Sequence, residues 1–165
     1  MISTTISIIA LFISLGSAYI LYRNRIESNR PIVTVKLESE CYDLVTPLTL
    51  KLYNTGLTPA IDVTLEANED DILKSFATDV PEIFKKEVLR CFTKENIIPI
   101  IHNNDSVKNG FGVLSNDKNN TFKLKSKIPV VIKYKSLYGY SYTQKQILVI
   151  KITENFAGSG WKKEA

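Results

Sequence analysis

The sequence predicts a mainly β protein, in which an N-terminal transmembrane helix is followed by an antiparallel β-sandwich with one short inserted helix. Three observations support this prediction. Residues 2–22 carry no charged side chain and are followed directly by basic residues. Beyond residue 31, several short segments alternate apolar and polar side chains, which is typical of half-buried strands. Only the segment at 80–92 places its apolar side chains at helical spacing.

The N-terminal segment is long enough to span a bilayer. About 20 apolar residues, rising about 1.5 Å each, cross a hydrocarbon core of about 30 Å. The nearest basic residues, Arg23, Arg25 and Arg30, all lie on its carboxyl side. Basic residues beside a span tend to stay cytoplasmic, so we expect the N-terminus outside and the domain in the cytoplasm, at the cell membrane. The predicted membrane-interface residues, two tyrosines of an aromatic belt and two arginines, are Tyr19, Tyr22, Arg23 and Arg25.

A cleaved signal peptide is the alternative to a retained helix. Gly16, Ser17 and Ala18 offer the small residues that a signal peptidase requires. A secretory signal normally begins with a basic segment, however, and here the apolar region also continues past the possible cleavage site. These two features favour the retained helix.

Small side chains recur along the segment at intervals of four and three residues. This spacing places them on one stripe of a helix, where small residues let two helix backbones approach closely. The stripe predicts self-association or contact with a partner's helix. The equally weighted alternative is that serines are tolerated in any span, because their hydroxyls bond back to their own helix. The helix-packing stripe consists of Ser3, Ser7, Ala10, Ser14 and Ser17.

Charge is distributed unevenly along the rest of the chain. Residues 31–120 carry nine basic and fourteen acidic side chains, whereas residues 121–165 carry nine lysines and two glutamates. Cys41 and Cys91 are the two cysteines, and they are free thiols in a cytosolic domain or a possible pair in an exported one. With the single His102 they match no recognised ligand spacing, so we expect no metal and no cofactor.

The first half of the domain predicts three strands. Residues 32–37 are rich in β-branched side chains, residues 48–53 alternate leucines with polar residues, and residues 61–66 alternate again. A turn at 54–56 separates the second strand from the third. Glu69 to Asp71 are expected to form an acidic break in the chain.

The middle of the chain predicts the inserted helix and an edge strand. Asp79 is a possible helix cap, and Pro81 is expected in the first turn. The apolar face of this helix is expected to cover an open end of the sheet, with partner binding as the weaker alternative. Residues 97–101 are apolar but contain a proline, which favours an edge strand. The polar segment 102–121 contains Asn109-Gly110, a dipeptide typical of a tight hairpin turn.

The last third gives the clearest β pattern. Residues 122–128 and 130–135 alternate apolar residues with lysines, residues 138–140 predict a turn, and residues 142–152 predict the closing strand. The tail beyond residue 153 is expected to be flexible, although Trp161 beside two lysines is suited to contact a bilayer surface.

Two segments of the domain carry a family resemblance. The segment LTLKLYNTGLTPAIDVTLEA resembles the second and third strands of immunoglobulin-like or fibronectin-like sandwich domains in small bacterial single-pass membrane proteins, and VVIKYKSLYGYSY resembles their closing hairpin. The resemblance covers residues 31–152 and implies an immunoglobulin-like fold without implying an activity. The fold-motif residues on which it depends are Asn54, Gly56, Pro59, Ala60 and Gly139.

The chain therefore divides into four predicted parts. Residues 1–22 form the transmembrane helix, residues 23–30 a basic juxtamembrane linker, residues 31–152 the β-sandwich domain and residues 153–165 a flexible tail. No nucleophile motif, phosphate loop or metal-ligand spacing is present in the sequence, so we predict that the protein is not an enzyme.

The function predicted from this organisation is a membrane-anchored, non-catalytic binding or regulatory module that contacts a protein partner at the membrane. Its expected contact surfaces are the helix at 80–92, the polar segment 102–121 and the lysine-bearing strands. The alternative is a tethered sensor or effector that binds a nucleotide or nucleic acid, for example in phage defence or superinfection exclusion. For that alternative, the lysines at 123–135 and the nearby tyrosines would form a basic aromatic surface, which anionic lipid would also fit. An exported surface protein would require the reverse topology.

Overall fold

A computed structural model describes residues 2–39, 45–115 and 120–151, and within these ranges it contains three helices and seven strands. In chain order the elements are α1 (Ile2–Ser28), β1 (Val33–Ser39), β2 (Val45–Asn54), β3 (Ala60–Ala67), α2 (Glu69–Ser75), α3 (Glu82–Arg90), β4 (Ile98–Ile101), β5 (Ser106–Ser115), β6 (Lys127–Ser136) and β7 (Ser141–Val149).

The N-terminal helix is longer than the uncharged segment that predicts it. α1 continues past Tyr22 through most of the predicted linker at 23–30 and ends at Ser28. Asn29 then donates a side-chain hydrogen bond to the Arg25 carbonyl oxygen at 2.9 Å, and Pro31 follows. The part from Thr4 to Ser28 is long and apolar enough to cross a membrane, and it is exposed along its central apolar stretch.

The seven strands form two antiparallel sheets. The first sheet has three strands in the order β1-β2-β5, and the second has four in the order β4-β3-β6-β7. The chain therefore changes sheet between β2 and β3, and again on each side of β5. The Val35 amide of β1 donates to Gln146 Oε1 of β7 at 2.8 Å, which joins the edges of the two sheets.

One hydrophobic core is shared by both sheets, and the predicted alternation accounts for much of it. Leu48, Leu50 and Leu52 of β2 are buried, as are Val63 and Leu65 of β3. Along β6 buried and solvent-facing residues alternate almost without exception. The strands predicted at 48–53, 61–66, 97–101 and 130–135 are confirmed, and β4 lies at the edge of its sheet as its proline predicts.

The predicted acidic break at residues 69–71 is wrong, because these residues form the first turn of α2. Asn68 caps the helix by accepting the Asp70 amide on its side-chain oxygen at 2.9 Å. The three acidic residues lie where the partial positive charge of a helix N-terminus stabilises them. Ile72 and Ser75 of this helix are buried. The domain thus contains two short inserted helices where the sequence predicts one.

The second inserted helix, α3, begins at Glu82, two residues later than predicted. Pro81 occupies the capping position itself, and no side-chain hydrogen bond caps the helix, so Asp79 is not the cap. Val88 is buried in the shared core, whereas Ile83 faces solvent. This packing agrees with the expectation that the helix covers an end of the sheets.

The predicted hairpin at Asn109-Gly110 is wrong, because β5 runs without interruption through both residues. Leu48 of β2 pairs with Gly112 and Thr49 pairs with Gly110, so the residue between the two glycines, Phe111, forms a bulge. Its side chain is fully buried. The bulge therefore directs an aromatic ring into the core.

The strand predicted from residue 122 begins instead at Lys127. Phe122 makes an isolated bridge with Phe76, and its ring stacks between that of Phe76 and that of Phe111, with centroids 5.0 and 4.8 Å apart. Lys125 has a φ of 65°, so the backbone turns before β6 starts. Burial of the phenylalanine stack is the reason that the alternating pattern does not continue as a strand.

The closing hairpin of β6 and β7 is confirmed. The predicted turn at 138–140 is present, and Gly139 adopts a φ of 81°, which glycine accommodates without strain. β7 ends at Val149, before the predicted end at residue 152. The predicted tail, including Trp161, lies outside the described residues.

Candidate binding surfaces

Asn54 is the centre of a buried hydrogen-bond network at the exit of α1. Its side-chain oxygen accepts the amides of Ile32 and Gly56 at 3.1 and 3.0 Å. Its side-chain nitrogen donates to the carbonyl oxygens of Thr58 and Ile101 at 2.8 and 3.1 Å. The residue is fully buried, and its side-chain oxygen and nitrogen each make two hydrogen bonds. One side chain thus joins β2, the β2–β3 loop, the end of β4 and the chain that leaves the helix.

Gly56 completes this contact by close approach of the backbone. A Cβ at this position would lie 2.4 Å from the Ile32 nitrogen and 2.5 Å from the Arg30 carbonyl oxygen. The Thr58 hydroxyl donates to the Asn29 carbonyl oxygen at 2.6 Å. We call the residues Asn54, Gly56 and Thr58 the latch, because they hold residues 29–32 against the sandwich.

The other predicted fold-motif residues have structural positions of their own. Ala60 begins β3, is fully buried and pairs with Ile101 on one side and Ser136 on the other. Pro59 precedes it and is half-buried. Gly139 lies in the β6–β7 turn. The motif residues therefore all lie at the end of the domain from which α1 leaves.

The predicted membrane-interface residues lie on the exposed surface of α1. Tyr19 and Tyr22 are exposed, and Arg23 forms an ion pair with Glu27 at 3.0 Å. A cleft of about 250 Å³ separates this part of the helix from the β6–β7 turn. It is lined by Tyr22, Arg25, Ile26, Asn29, Tyr138 and Tyr140. We call it the helix-exit cleft.

The predicted helix-packing stripe lies on α1 as expected from its spacing. Ser7, Ala10, Ser14 and Ser17 are exposed on one continuous helix, and Ser3 belongs to the same helix although its side chain is outside the described part. Large apolar side chains cover the rest of the helix surface.

A second cleft, of about 310 Å³, opens between the edge strands β4 and β5. Core residues such as Leu50 and Leu65 form its floor, and Ile97 and Val107 form part of its exposed rim. Cys91, just after α3, also lines it. This cleft, which we call the edge cleft, brings together the helix segment 80–92 and the polar segment 102–121, two of the three surfaces that the sequence predicts for partner contact.

Cys91 is a half-buried free thiol in the wall of the edge cleft. Asn109 donates a side-chain hydrogen bond to its sulfur at 3.4 Å. Burial raises the pKa of the Cys91 thiol above its ordinary value of 9.0, with the asparagine hydrogen bond opposing this effect. Cys41 lies outside the described residues, so the possible pairing is not tested. His102 is exposed, and among the described residues no group of His, Cys, Asp and Glu is placed to hold a metal ion.

Two of the lysines considered for a basic aromatic surface are ion-paired with acidic residues of β3. Lys133 forms an ion pair with Glu66 at 2.8 Å, and Lys135 forms one with Asp62 at 3.0 Å. Tyr134 is buried and stacks on Tyr142, with ring centroids 5.6 Å apart. A shallow groove of about 700 Å³ lies near the opposite end of β6, with residues of β3 and β7 in its walls.

Sequence analysis missed a charged cluster on the outer face of the three-stranded sheet. The Tyr53 hydroxyl donates to Glu38 at 2.5 Å, and the ammonium groups of Lys36 and Lys51 lie 2.6 and 3.3 Å from the same carboxylate. The hydrogen bond from Lys36, followed by that from Tyr53, lowers the pKa of Glu38 to about 2. Both lysines also lie over the tyrosine ring. Lys36 and Lys51 are paired across β1 and β2, and this pairing places both ammonium groups near one carboxylate.

Comparison with known proteins gives one result. A family model described as "Domain of unknown function (DUF8453)" matches residues 1–154. No curated protein and no solved structure matches the chain. The matched range includes both α1 and the two sheets, so helix and domain belong to one family unit.

Proposed function

The chain belongs to the DUF8453 family, a domain of unknown function, and we propose that it acts as a membrane-anchored, non-catalytic binding module that contacts a protein partner at the membrane. The observation that carries this proposal is the edge cleft. It reaches core leucines, yet Ile97 at its rim is exposed over about half of its surface. An exposed apolar rim around an open cleft is typical of an interaction site.

The chemistry of the edge cleft fits an extended peptide segment of a partner. Among the described strands β5 pairs only with β2. Thr121 is hydrogen-bonded to the outer edge of β5 at Val113, so the accessible part of this edge for another strand lies near Lys108. β4 faces the same cleft from the second sheet, but Pro99 removes one backbone donor there. We propose that the partner strand pairs with β5 near Val107 and inserts apolar side chains into the cleft. Lys108 at the rim favours an acidic residue beside them.

The latch gives the anchor a role in this binding. Because Asn54 and Gly56 hold the helix exit against the sandwich, α1 and the edge cleft are parts of one continuous structure. A domain confined to the membrane surface meets partners there at a raised effective concentration. The rigid exit also presents the cleft in one orientation relative to the bilayer.

The membrane topology in this proposal follows from charge. Arg23 and Arg25 lie at the carboxyl end of α1 and Arg30 lies two residues beyond it, which supports a cytoplasmic domain and an N-terminus outside. The strand orders β1-β2-β5 and β4-β3-β6-β7 support the finer proposal that the two sheets form an immunoglobulin-like or fibronectin-like sandwich.

Catalysis by Cys91 is disfavoured because burial raises the pKa of its thiol, whereas nucleophilic thiols have lowered pKa values.

Site-specific photo-crosslinking in intact membranes tests the proposal. A photoreactive phenylalanine replaces Val107 at the rim of the edge cleft, and in a matched control it replaces the exposed Ile147 on β7. We expect a discrete protein adduct from position 107 that is absent from position 147. Loss of this adduct on adding Ile97→Asp would identify the apolar rim as its cause. Equal adducts from both positions, or none from position 107, would contradict the proposal.

A further inference from the structure

We infer that the helix-exit cleft binds the headgroup of an anionic phospholipid, and that the β6–β7 turn beside it lies in the bilayer interface as a second membrane contact. This inference rests on the proposed membrane anchorage and adds a lipid site to it. The site is formed by Tyr22 and Arg25 of α1 together with Tyr138 and Tyr140 of the turn.

The first argument is the position of the β6–β7 turn along the axis of α1. Tyr22 is the last residue before the first charged side chain, so it marks the boundary of the hydrocarbon core. Tyr22 of α1 and Tyr140 of the turn line the same cleft, and interaction with the Tyr22 phenol raises the pKa of Tyr140. The turn therefore reaches the level at which interfacial aromatic residues lie.

The second argument is the composition of the surface at that level. Leu137 is 56% exposed and Tyr138 is 73% exposed, in a turn where polar residues are usual. Leu57, in the neighbouring β2–β3 loop, is 66% exposed, and the latch holds this loop against the helix exit. Two adjacent loops thus carry exposed apolar side chains on the side where the anchor leaves the domain. Continuity with the membrane helix identifies the bilayer as the occupant of this surface.

The third argument is the charge inside the cleft. Arg25 lines it, and among the described residues no carboxylate pairs with this guanidinium, whereas the nearby Arg23 is paired with Glu27. A guanidinium and phenol hydroxyls are donors that bind a phosphate well. The cleft volume of about 250 Å³ is below the range of about 300–1,000 Å³ typical of pockets for drug-sized ligands. It therefore suits a phosphate headgroup, with the acyl chains remaining in the bilayer.

Depth-dependent fluorescence quenching tests the position of the turn. Full-length protein carrying Trp161→Phe receives one new tryptophan, either Tyr138→Trp in the turn or Ile147→Trp on β7. Ile147 lies six residues beyond the start of β7 at Ser141, about 20 Å along the strand at about 3.4 Å per residue, and is similarly exposed. In vesicles whose lipids are brominated near the headgroup, we expect strong quenching at position 138 and weak quenching at position 147. Equal quenching at both positions would overturn the inference.

The same samples separate this inference from the proposed anchorage. Both variants are first floated with the vesicles on a density gradient. Flotation with no preferential quenching at position 138 would leave the anchor intact and reject the turn as a membrane contact. Failure to float would reject the anchorage and the lipid site together.

Headgroup recognition is tested with Leu137→Trp in the Trp161→Phe background, because Leu137 is exposed in the turn and does not line the cleft. The emission of this tryptophan is followed in vesicles of phosphatidylcholine with increasing phosphatidylglycerol. We expect a saturable shift in emission, and we expect Arg25→Gln to weaken the apparent affinity about tenfold, as loss of a charge-assisted hydrogen bond would. Arg23→Gln removes the same charge from the ion-paired neighbour and should have little effect. Inorganic phosphate added to pure phosphatidylcholine vesicles distinguishes a free-anion site. The same shift with phosphate, or equal loss in both arginine variants, would overturn lipid recognition.

Discussion

The side-chain oxygen of Asn54 accepts the backbone amide of Ile32 at 3.1 Å, across 22 positions of sequence. Ile32 is among the first residues beyond the helix exit, and Asn54 is the last residue of β2. The other three hydrogen bonds of the asparagine fix the β2–β3 loop and the end of β4. One buried amide is therefore the centre of the connection between anchor and sandwich, beside the hydrogen bonds that Thr55 and Thr58 donate to the carbonyl oxygens of Ile32 and Asn29.

Replacing Asn54 by alanine should lower the free energy of unfolding by about 3 kcal/mol, because two buried amides and two carbonyl oxygens lose their partner. Urea unfolding of the full-length protein in mild detergent, followed by near-UV circular dichroism of the tyrosines, measures the change. Thr55→Ala is the control, since the one hydrogen bond of its exposed hydroxyl, to the Ile32 carbonyl oxygen at 3.3 Å, can be replaced by water, so its loss should shift stability by no more than about 0.5 kcal/mol. Equal effects of the two variants would show that the network does not stabilise the exit.

Gly56→Ala should destabilise the protein by about 2 kcal/mol, since its Cβ would overlap backbone atoms that have no room to move. The nearest of these atoms are the Ile32 nitrogen at 2.4 Å and the Arg30 carbonyl oxygen at 2.5 Å. Gly110→Ala is the matched control, because no heavy atom lies within 4 Å of a Cβ there. The same unfolding measurement applies, and a wild-type midpoint for Gly56→Ala would contradict the close approach.

The latch is a feature that sequence patterns do not predict. Asn54-Thr55-Gly56 is recognisable as a turn, but the partners of Asn54 lie 22 and 47 positions away at Ile32 and Ile101. Sequence patterns do not predict the edge cleft either, because residues of β2, β4, β5 and the end of α3 all line it. Periodicity predicts the strands themselves, since burial of one sheet face imposes an alternation that local sequence carries.

The failed sequence predictions have identifiable physical causes. Asn109-Gly110 has the local preference of a hairpin turn, but pairing of β5 with β2 and burial of Phe111 outweigh it. The charges of Glu69 and its neighbours predict a break when only the local sequence is considered. Placed after the Asn68 cap, the same charges stabilise the start of a helix.

Phe111→Ala should lower stability by about 3–5 kcal/mol, the usual cost of removing a buried phenylalanine. The ring stacks on Phe122 at 4.8 Å and meets the edge of Phe92 at 5.9 Å, so the cavity would lie inside an aromatic cluster. Val107→Ala on the same strand is the control, because Val107 is partly exposed and should cost less than about 1 kcal/mol. Unfolding midpoints of the two variants measure this difference, and a loss for Phe111→Ala no larger than the control would exclude a core role for the bulge.

Glu38 should make stability depend on pH in the acid range. Its pKa in the folded protein is about 2, against an ordinary value of 4.5, so the stabilisation is fully present above pH 4.5 and is lost as the pH falls toward 2. Because the carboxylate is about one-third exposed, solvent screening limits the loss in Glu38→Gln to less than about 1 kcal/mol at neutral pH.

Unfolding of wild type and Glu38→Gln at a series of pH values measures this dependence. The difference between them should shrink between pH 4.5 and 2, the interval set by the two pKa values. Glu82→Gln provides the comparison, since the carboxylate of Glu82, which pairs with Lys85, is 77% exposed and should show little pH-dependent effect. A difference for Glu38→Gln that stays constant to pH 2 would exclude the carboxylate as its source.

Cys91 should react slowly with alkylating reagents at neutral pH, because burial in the wall of the edge cleft raises the pKa of its thiol. Only the thiolate reacts readily, so the rate should keep rising with pH beyond the range of an ordinary cysteine. In a Cys41→Ser background, mass spectrometry follows the alkylation of Cys91 in folded protein and in urea. We expect the folded protein to react several-fold more slowly, and more slowly still when the proposed partner occupies the cleft. Equal rates in the folded and unfolded states would show that the thiol lies outside the cleft, and the proposed partner site would then lack this wall.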